Sequence, residues 1–169
     1  MAKEIERKYL ICRVKDKYLT QPAAERWDIV QTYLLTEPGV TERVRKLRTA
    51  GEEHYFHTVK RRISTLTAEE AEEEITPAAY GQYLLRADPA LKAIGKTRWR
   101  IPCAGHTLEI DRYPFWDRAD ILEVELSRED EAVSFPAFIT ILREVTADVR
   151  FKNVSLAREI PAIDGYFNV

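Results

Sequence analysis

Lys3-Glu4-Ile5-Glu6-Arg7-Lys8-Tyr9-Leu10-Ile11-Cys12-Arg13 begins the informative part of the chain, and the alternation inside it decides the fold. Successive side chains of a β-strand point to opposite faces. Read as a strand, this stretch puts Glu4, Glu6 and Lys8 on one face and Ile5, Tyr9 and Ile11 on the other. The same division recurs downstream. Arg43 and Arg45 share a face, as do Thr58, Lys60 and Arg62, then Glu70, Glu72 and Glu74, then Lys96, Arg98 and Arg100. Glu109 and Asp111 oppose Leu108 and Ile110, and Glu123 and Glu125 oppose Leu122, Val124 and Leu126.

The pattern predicts strands over residues 3–13, 27–36, 40–49, 54–63, 70–75, 93–103, 107–115 and 121–127. Glu37-Pro38-Gly39 and Ala50-Gly51-Glu52 supply turns between consecutive strands, and Pro102 and Gly105 flank another. Two segments read as helices. Thr76 is a cap and Pro77 a first helical residue for 78–86, where Tyr80, Tyr83 and Leu84 recur at helical spacing. A second helix is expected over 136–145, with Phe135, Phe138, Ile139 and Leu142 as its apolar stripe. About eight strands joined by short turns imply a mainly β chain whose antiparallel sheet is closed or nearly so.

With 169 residues, 45% of them hydrophobic, the chain suits one domain spanning 1–169 with a sizeable core. Charged residues reach 32%, yet the net charge is only -2, so acids and bases are enriched together. A basic nucleic-acid binder is not balanced this way. Cys12 and Cys103 have no metal-ligand spacing and are too few for a disulfide scaffold. His54, His57 and His106 are scattered and read as surface or strand filler. The start of the chain is charged, without the apolar run of a signal peptide, and no stretch of about 18 apolar residues exists. A cytoplasmic location without membrane contact is therefore expected.

A solvated sheet face usually mixes Ser, Thr, Gln and Lys. Here the rows are carboxylate on some strands and base on others, with arginine recurring beside lysine. Forked arginine contacts suit phosphate oxygens. A triphosphate needs several bases around it and a divalent Mg or Mn bridging its oxygens. Those hard cations prefer carboxylates to His or Cys. If the strands close into a barrel, the charged rows turn inward, which is costly unless acids, bases and ligand satisfy one another.

Glu4-Ile5-Glu6-Arg7-Lys8, an E-x-E-x-K pattern, resembles the start of the CYTH superfamily, the triphosphate tunnel metalloenzymes. Arg43-Val44-Arg45 resembles the family's paired arginines, and Thr58-Val59-Lys60 the lysine strand that follows. Lys96-Thr97-Arg98 resembles its later basic pair. Leu108-Glu109-Ile110-Asp111 and Leu122-Glu123-Val124-Glu125 resemble its two closing acidic strands. The likeness spans about residues 3 to 157. It implies an eight-stranded antiparallel tunnel with helices packed outside, and a metal-dependent hydrolase, specifically a short inorganic triphosphatase of the bacterial type. It further implies that Lys8, Arg43, Arg45, Lys60, Lys96 and Arg98 clamp the triphosphate, with Lys152 reaching in from the C-terminal segment. Glu4, Glu6, Asp111, Glu123 and Glu125 are implied as ligands of Mg2+ or Mn2+, with Glu72, Glu74 and Glu109 orienting the bases or holding metal water. Some hydrolytic relatives use a lysine–tyrosine pair near the attacking water, and Lys8 with Tyr33 is the pair expected here, on a depressed lysine pKa. Glu70 is expected outside or at the rim, Arg7 in solvent, and Arg62 and Arg100 outside the site.

The expected reaction splits inorganic triphosphate, or a related triphosphate, into orthophosphate and a diphosphate species. Two alternatives stay open: an adenylate cyclase with the same cage, and a non-catalytic polyphosphate or nucleotide-binding module. Trp27 or Trp116, if exposed, would sit at the contact of a homodimer.

Overall fold

The structure, a computed structural model, describes residues 1–168. Nine strands and a few short helices are formed by the described residues. The strands are β1 (Ala2–Cys12), β2 (Glu25–Tyr33), β3 (Val40–Thr49), β4 (Glu52–Arg62), β5 (Thr67–Glu74), β6 (Ile94–Cys103), β7 (His106–Arg112), β8 (Ala119–Leu126) and β9 (Ile141–Glu144). The α-helices are α1 (Asp16–Leu19), α2 (Pro77–Leu84) and α3 (Asn153–Leu156). Around the sheet the order is β5-β4-β3-β2-β6-β7-β8-β1, and β5 pairs back onto β1, so eight antiparallel strands close into a barrel.

Closure depends on a division of labour along β1. Residues 5–12 pair with β8 on one edge. On the other edge, residues 2–5 pair with β5 and residues 9–11 with β9. The ninth strand is where the sequence expectation failed. Residues 136–145 do not form a helix; Ile141–Glu144 adds to the half of the β1 edge that β5 leaves free. An unpaired edge is a row of unsatisfied backbone groups, and covering it outweighs the helical spacing of that segment. The preceding apolar residues are used without a helix: the Phe135 ring meets Tyr9 edge-on at 5.2 Å, and Phe138 stacks on Tyr18 at 4.7 Å.

Local chemistry explains the turns. Ala50-Gly51 and Ala104-Gly105 each join two strands through two residues of positive φ, 49° and 81° in the first pair and 48° and 83° in the second. Both residues of a type I′ turn need that sign, and its twist matches the flanking strands. Helix α2 begins as expected: Thr76 Oγ1 accepts from the Ala79 N–H at 3.1 Å, and Pro77 fills the first turn.

Two apolar clusters hold the barrel. The first lies outside, where Ile5, Tyr9, Ile11, Leu108, Ile110, Leu122 and Val124 pack under α1 and the Val133–Ile139 stretch. Each such residue, fully buried, contributes about 1.5–3 kcal/mol. The second is on the inward face, where Leu10, Tyr33, Ile94, Tyr113 and Ile121 pack with Trp116, Phe151 and Leu156. Trp116 is thus a core residue and not an exposed contact. Among the described residues no helix is long and apolar enough to cross a membrane.

Candidate functional site

By strand alternation the charged rows face the barrel interior, around a cavity of about 450 Å3. Seven carboxylates and eight bases line it. Near-balance means most of these charges already have partners, so the informative groups are those that do not.

Register explains the pairs. Across β1 and β8, Lys8 lies opposite Glu123, and its Nζ is 3.1 Å from Glu123 Oε1. Across β6 and β7, Arg98 lies opposite Asp111 and Arg100 opposite Glu109. Arg98 is the hub of the interior. Its Nε and Nη2 donate to the two oxygens of Asp111 at 2.6 and 2.7 Å, Nη1 to Glu109 at 3.0 Å, and Nη2 also to Glu123 at 2.8 Å. On the far wall, Glu72 accepts from Arg45 at 2.8 Å and from the Thr58 hydroxyl at 2.7 Å. Glu4 accepts from Lys60, whose Nζ also lies 3.7 Å from Glu70.

Of the residues expected at the site, Glu4, Glu6, Lys8, Tyr33, Arg43, Arg45, Lys60, Glu72, Arg98, Glu109, Glu123, Glu125 and Lys152 line the cavity. Three do not. Lys96 and Asp111 are sealed beneath it, with side chains 1% and 0% exposed and a 2.7 Å bond between them. Both Asp111 oxygens are engaged by Arg98 and Lys96. Glu74 stands outside, exposed against His54 at 2.7 Å, because its strand has run past the lining there. Conversely, Glu70, Arg62, Arg100 and Trp27 do line it, against expectation. Period two already put Glu70 with Glu72, Arg62 with Lys60, and Arg100 with Arg98; the rows simply extend further than the family motifs. Arg100 lies 4.6 Å from the Trp27 ring centroid, which makes this tryptophan part of the cavity wall. Arg7 is partly covered and donates to the Glu129 carbonyl at 2.8 Å.

The expected depression of the Lys8 pKa is not found. Burial pulls the Lys8 pKa down, but Glu123 and Glu6 outweigh it and carry the ammonium above its ordinary range. The lysine with a depressed pKa is Lys96, brought to about 8 by burial and by Arg98. Tyr33 is buried, which pushes its phenol up against the opposing influence of Arg43 and Lys8.

The unpartnered groups fall into two sets. Among the described residues Arg43, Arg62 and Lys152 form no ion pair, and burial together with Arg62, Lys8 and Lys60 holds the Lys152 pKa down. Glu6 and Glu125 face each other across β1 and β8 with no cation bonded to either. Glu109 and Glu123 face each other across β7 and β8. Like charges directly opposite are destabilising. Burial and Glu123 push Glu6 up to about 7, and burial with Glu4 and Glu109 raises Glu125. This is the donor set a hard divalent ion fits, with Glu6, Glu125 and Glu4 as the residues to hold it. Among the described residues no three His, Cys, Asp or Glu side chains form a ready-made ion site. Magnesium is commonly held by one or two carboxylates plus phosphate oxygens and water, which is the share this wall can supply.

No protein-family model matches the chain, and no curated protein matches it. Solved structures do. NE1496, described once as a hypothetical protein and once as an inorganic triphosphatase, is 26% identical in both comparisons. These cover 94% and 96% of this chain and 99% of that one, with TM-scores of 0.57 and 0.58. The PH1819 protein from Pyrococcus horikoshii OT3 is 21% identical over 75% of this chain and 80% of its own, with a TM-score of 0.57. A putative adenylate cyclase from Bacillus halodurans is 12% identical over 77% and 84%, with a TM-score of 0.51. Eight closed antiparallel strands around a charged lining, in a chain similar over nearly its full length to the 26% identical NE1496 inorganic triphosphatase, give this chain the triphosphate tunnel fold of the CYTH superfamily.

Proposed function

We propose that this protein hydrolyses inorganic triphosphate, or a related triphosphate, to orthophosphate and a diphosphate species, using Mg2+ or Mn2+. The observation that carries the reading is the coexistence, in one enclosed cavity, of bases without acids and acids without bases. A polyanion that brings its own divalent ion satisfies both sets at once. The likeness to the NE1496 inorganic triphosphatase supports it.

Arg43, Arg62 and Lys152 take phosphate oxygens without leaving an acidic partner. Arg45 and Lys60 reach the same cavity but must leave Glu72 and Glu4 to do so. Lys8, held as an ammonium by Glu123, stabilises charge and does not accept a proton. A divalent ion, when bound, polarises a phosphoryl oxygen and acidifies the attacking water. Water forms its bond to the terminal phosphorus as the bridging P–O bond on the opposite side breaks; the bridging oxygen leaves with the diphosphate, and the protons of the water end on the phosphate products. The bases offset the charge that spreads over the equatorial oxygens.

The test is a panel of tripolyphosphate, ATP and thiamine triphosphate with each metal, measuring released phosphate and separating cyclic AMP from ADP. No phosphate from any of the three defeats the proposal. Cyclic AMP as the main product from ATP transfers the site to a cyclase, and thermal stabilisation without turnover transfers it to a binding module.

A further inference from the structure

Gln31 is the one side chain on the inward face of β2 that has neither charge nor apolar packing to account for it. It is 0% exposed, between Ile29 and Tyr33 on the same face. Its Nε2 donates to the Tyr33 hydroxyl at 3.1 Å, and its Oε1 has no hydrogen-bond partner. A buried, half-satisfied amide costs about 1–3 kcal/mol relative to an apolar residue of the same shape. Core packing therefore does not explain it, and what it does for Tyr33 must.

A phenol has one proton to donate. With Gln31 as donor to the oxygen, that proton is committed to a different acceptor. Tyr33 is 3% exposed, and the little of it that is open lines the cavity. Trp116, Phe151 and Leu156 belong to the same apolar cluster as Tyr33 and offer no side-chain acceptor. From this geometry we infer that Gln31 is a positioning residue, which fixes the Tyr33 hydroxyl with its proton directed into the tunnel, as a donor to a phosphate oxygen. The inference rests on the triphosphatase reading for the identity of that acceptor, but the Gln31–Tyr33 coupling itself does not.

Two measurements test it, one of them free of turnover. Donation to a phenol oxygen favours the phenolate, so Gln31→Leu should raise the Tyr33 pKa, read by 13C NMR of ring-labelled tyrosine with Tyr33→Phe assigning the signal. In steady-state kinetics on tripolyphosphate, Gln31→Leu should lower kcat about tenfold, the value of one hydrogen bond, with KM nearly unchanged. In a Tyr33→Phe background the same substitution should do nothing further. Gln31→Met, which keeps the length of the side chain and removes the donor, should lower kcat as Leu does and serves if the leucine variant fails to fold. An unmoved Tyr33 pKa, or an equal loss of kcat with and without the Tyr33 hydroxyl, overturns the inference. If the wild-type protein splits no triphosphate, the functional proposal falls, while the titration still judges Gln31.

Discussion

Glu6 offers a test of the tunnel's electrostatics that needs no substrate. Its carboxyl is moved from the ordinary 4.5 to about 7, first by burial and then by Glu123. A raised carboxyl pKa means that the folded state binds the proton more tightly than the unfolded chain. Between pH 4.5 and 7 the folded protein carries the extra proton, so stability falls as pH rises through that window and the penalty is complete above it. Moving the carboxyl from 4.5 to about 7 corresponds to roughly 3 kcal/mol, an upper figure because the side chain keeps some contact with the cavity. For a chain of this size that is roughly 6–12 °C in Tm. The experiment compares thermal unfolding of the wild type and Glu6→Gln from pH 5 to 8 in chelator, then with Mg2+. Glutamine carries no titration, so the difference between the two curves isolates Glu6 from every other group. Wild type should lose stability relative to the variant as pH rises, and Mg2+ should restore more at pH 8 than at pH 5, since a metal ligand must be ionised. Parallel curves in chelator would refute the reasoning, because they would mean that Glu6 is hydrated and unstrained.

Three further outcomes follow from the pairing pattern. Asp111→Asn strands the buried Lys96, whose one acidic partner it is among the described residues, while Arg98 keeps Glu109 and Glu123, and should cost about 3–5 kcal/mol in denaturant unfolding; a loss under 1 kcal/mol would show that Asp111 is not the counter-ion of Lys96. The same interior sets a lower pH limit. Arg98 and Lys96 outweigh burial to hold Asp111 below its usual range, and Lys8 with Arg98 does the same for Glu123, so their stabilisation is present above about pH 4 and is lost as acid titrates them; an acid unfolding curve that Asp111→Asn leaves unchanged would contradict this. Lys152→Ala should raise KM for tripolyphosphate roughly tenfold at nearly constant kcat, the signature of lost ground-state binding, and should leave Tm level or higher, because that ammonium is surrounded by Arg62, Lys8 and Lys60.

The sequence carried the barrel because period two is a strong signal when both faces are marked. Ile5, Tyr9 and Ile11 against Glu4, Glu6 and Lys8 left one orientation for β1, and its register then set Lys8 opposite Glu123 and Glu6 opposite Glu125. The ninth strand was not legible. Residues 141–144 are specified by the half-edge that β5 leaves open on β1, a fact about where another strand ends. Lys96 shows the same limit within the site. Alternation places it inward with Arg98, but not at which depth; that depends on Tyr113, 5.7 Å from its Nζ, and on Asp111, which together close over it. Pattern assigns a residue to a face, whereas access to ligand is decided along the barrel axis, by strand stagger and by what the C-terminal segment covers. Arg43 and Arg45 make the point most sharply: two residues apart on one strand and one face, yet Glu72 engages Arg45 while Arg43 forms no ion pair. A polyanion entering the tunnel meets a free cation in one case and must break a 2.8 Å bond in the other, so neighbouring arginines with the same motif position carry different shares of the binding.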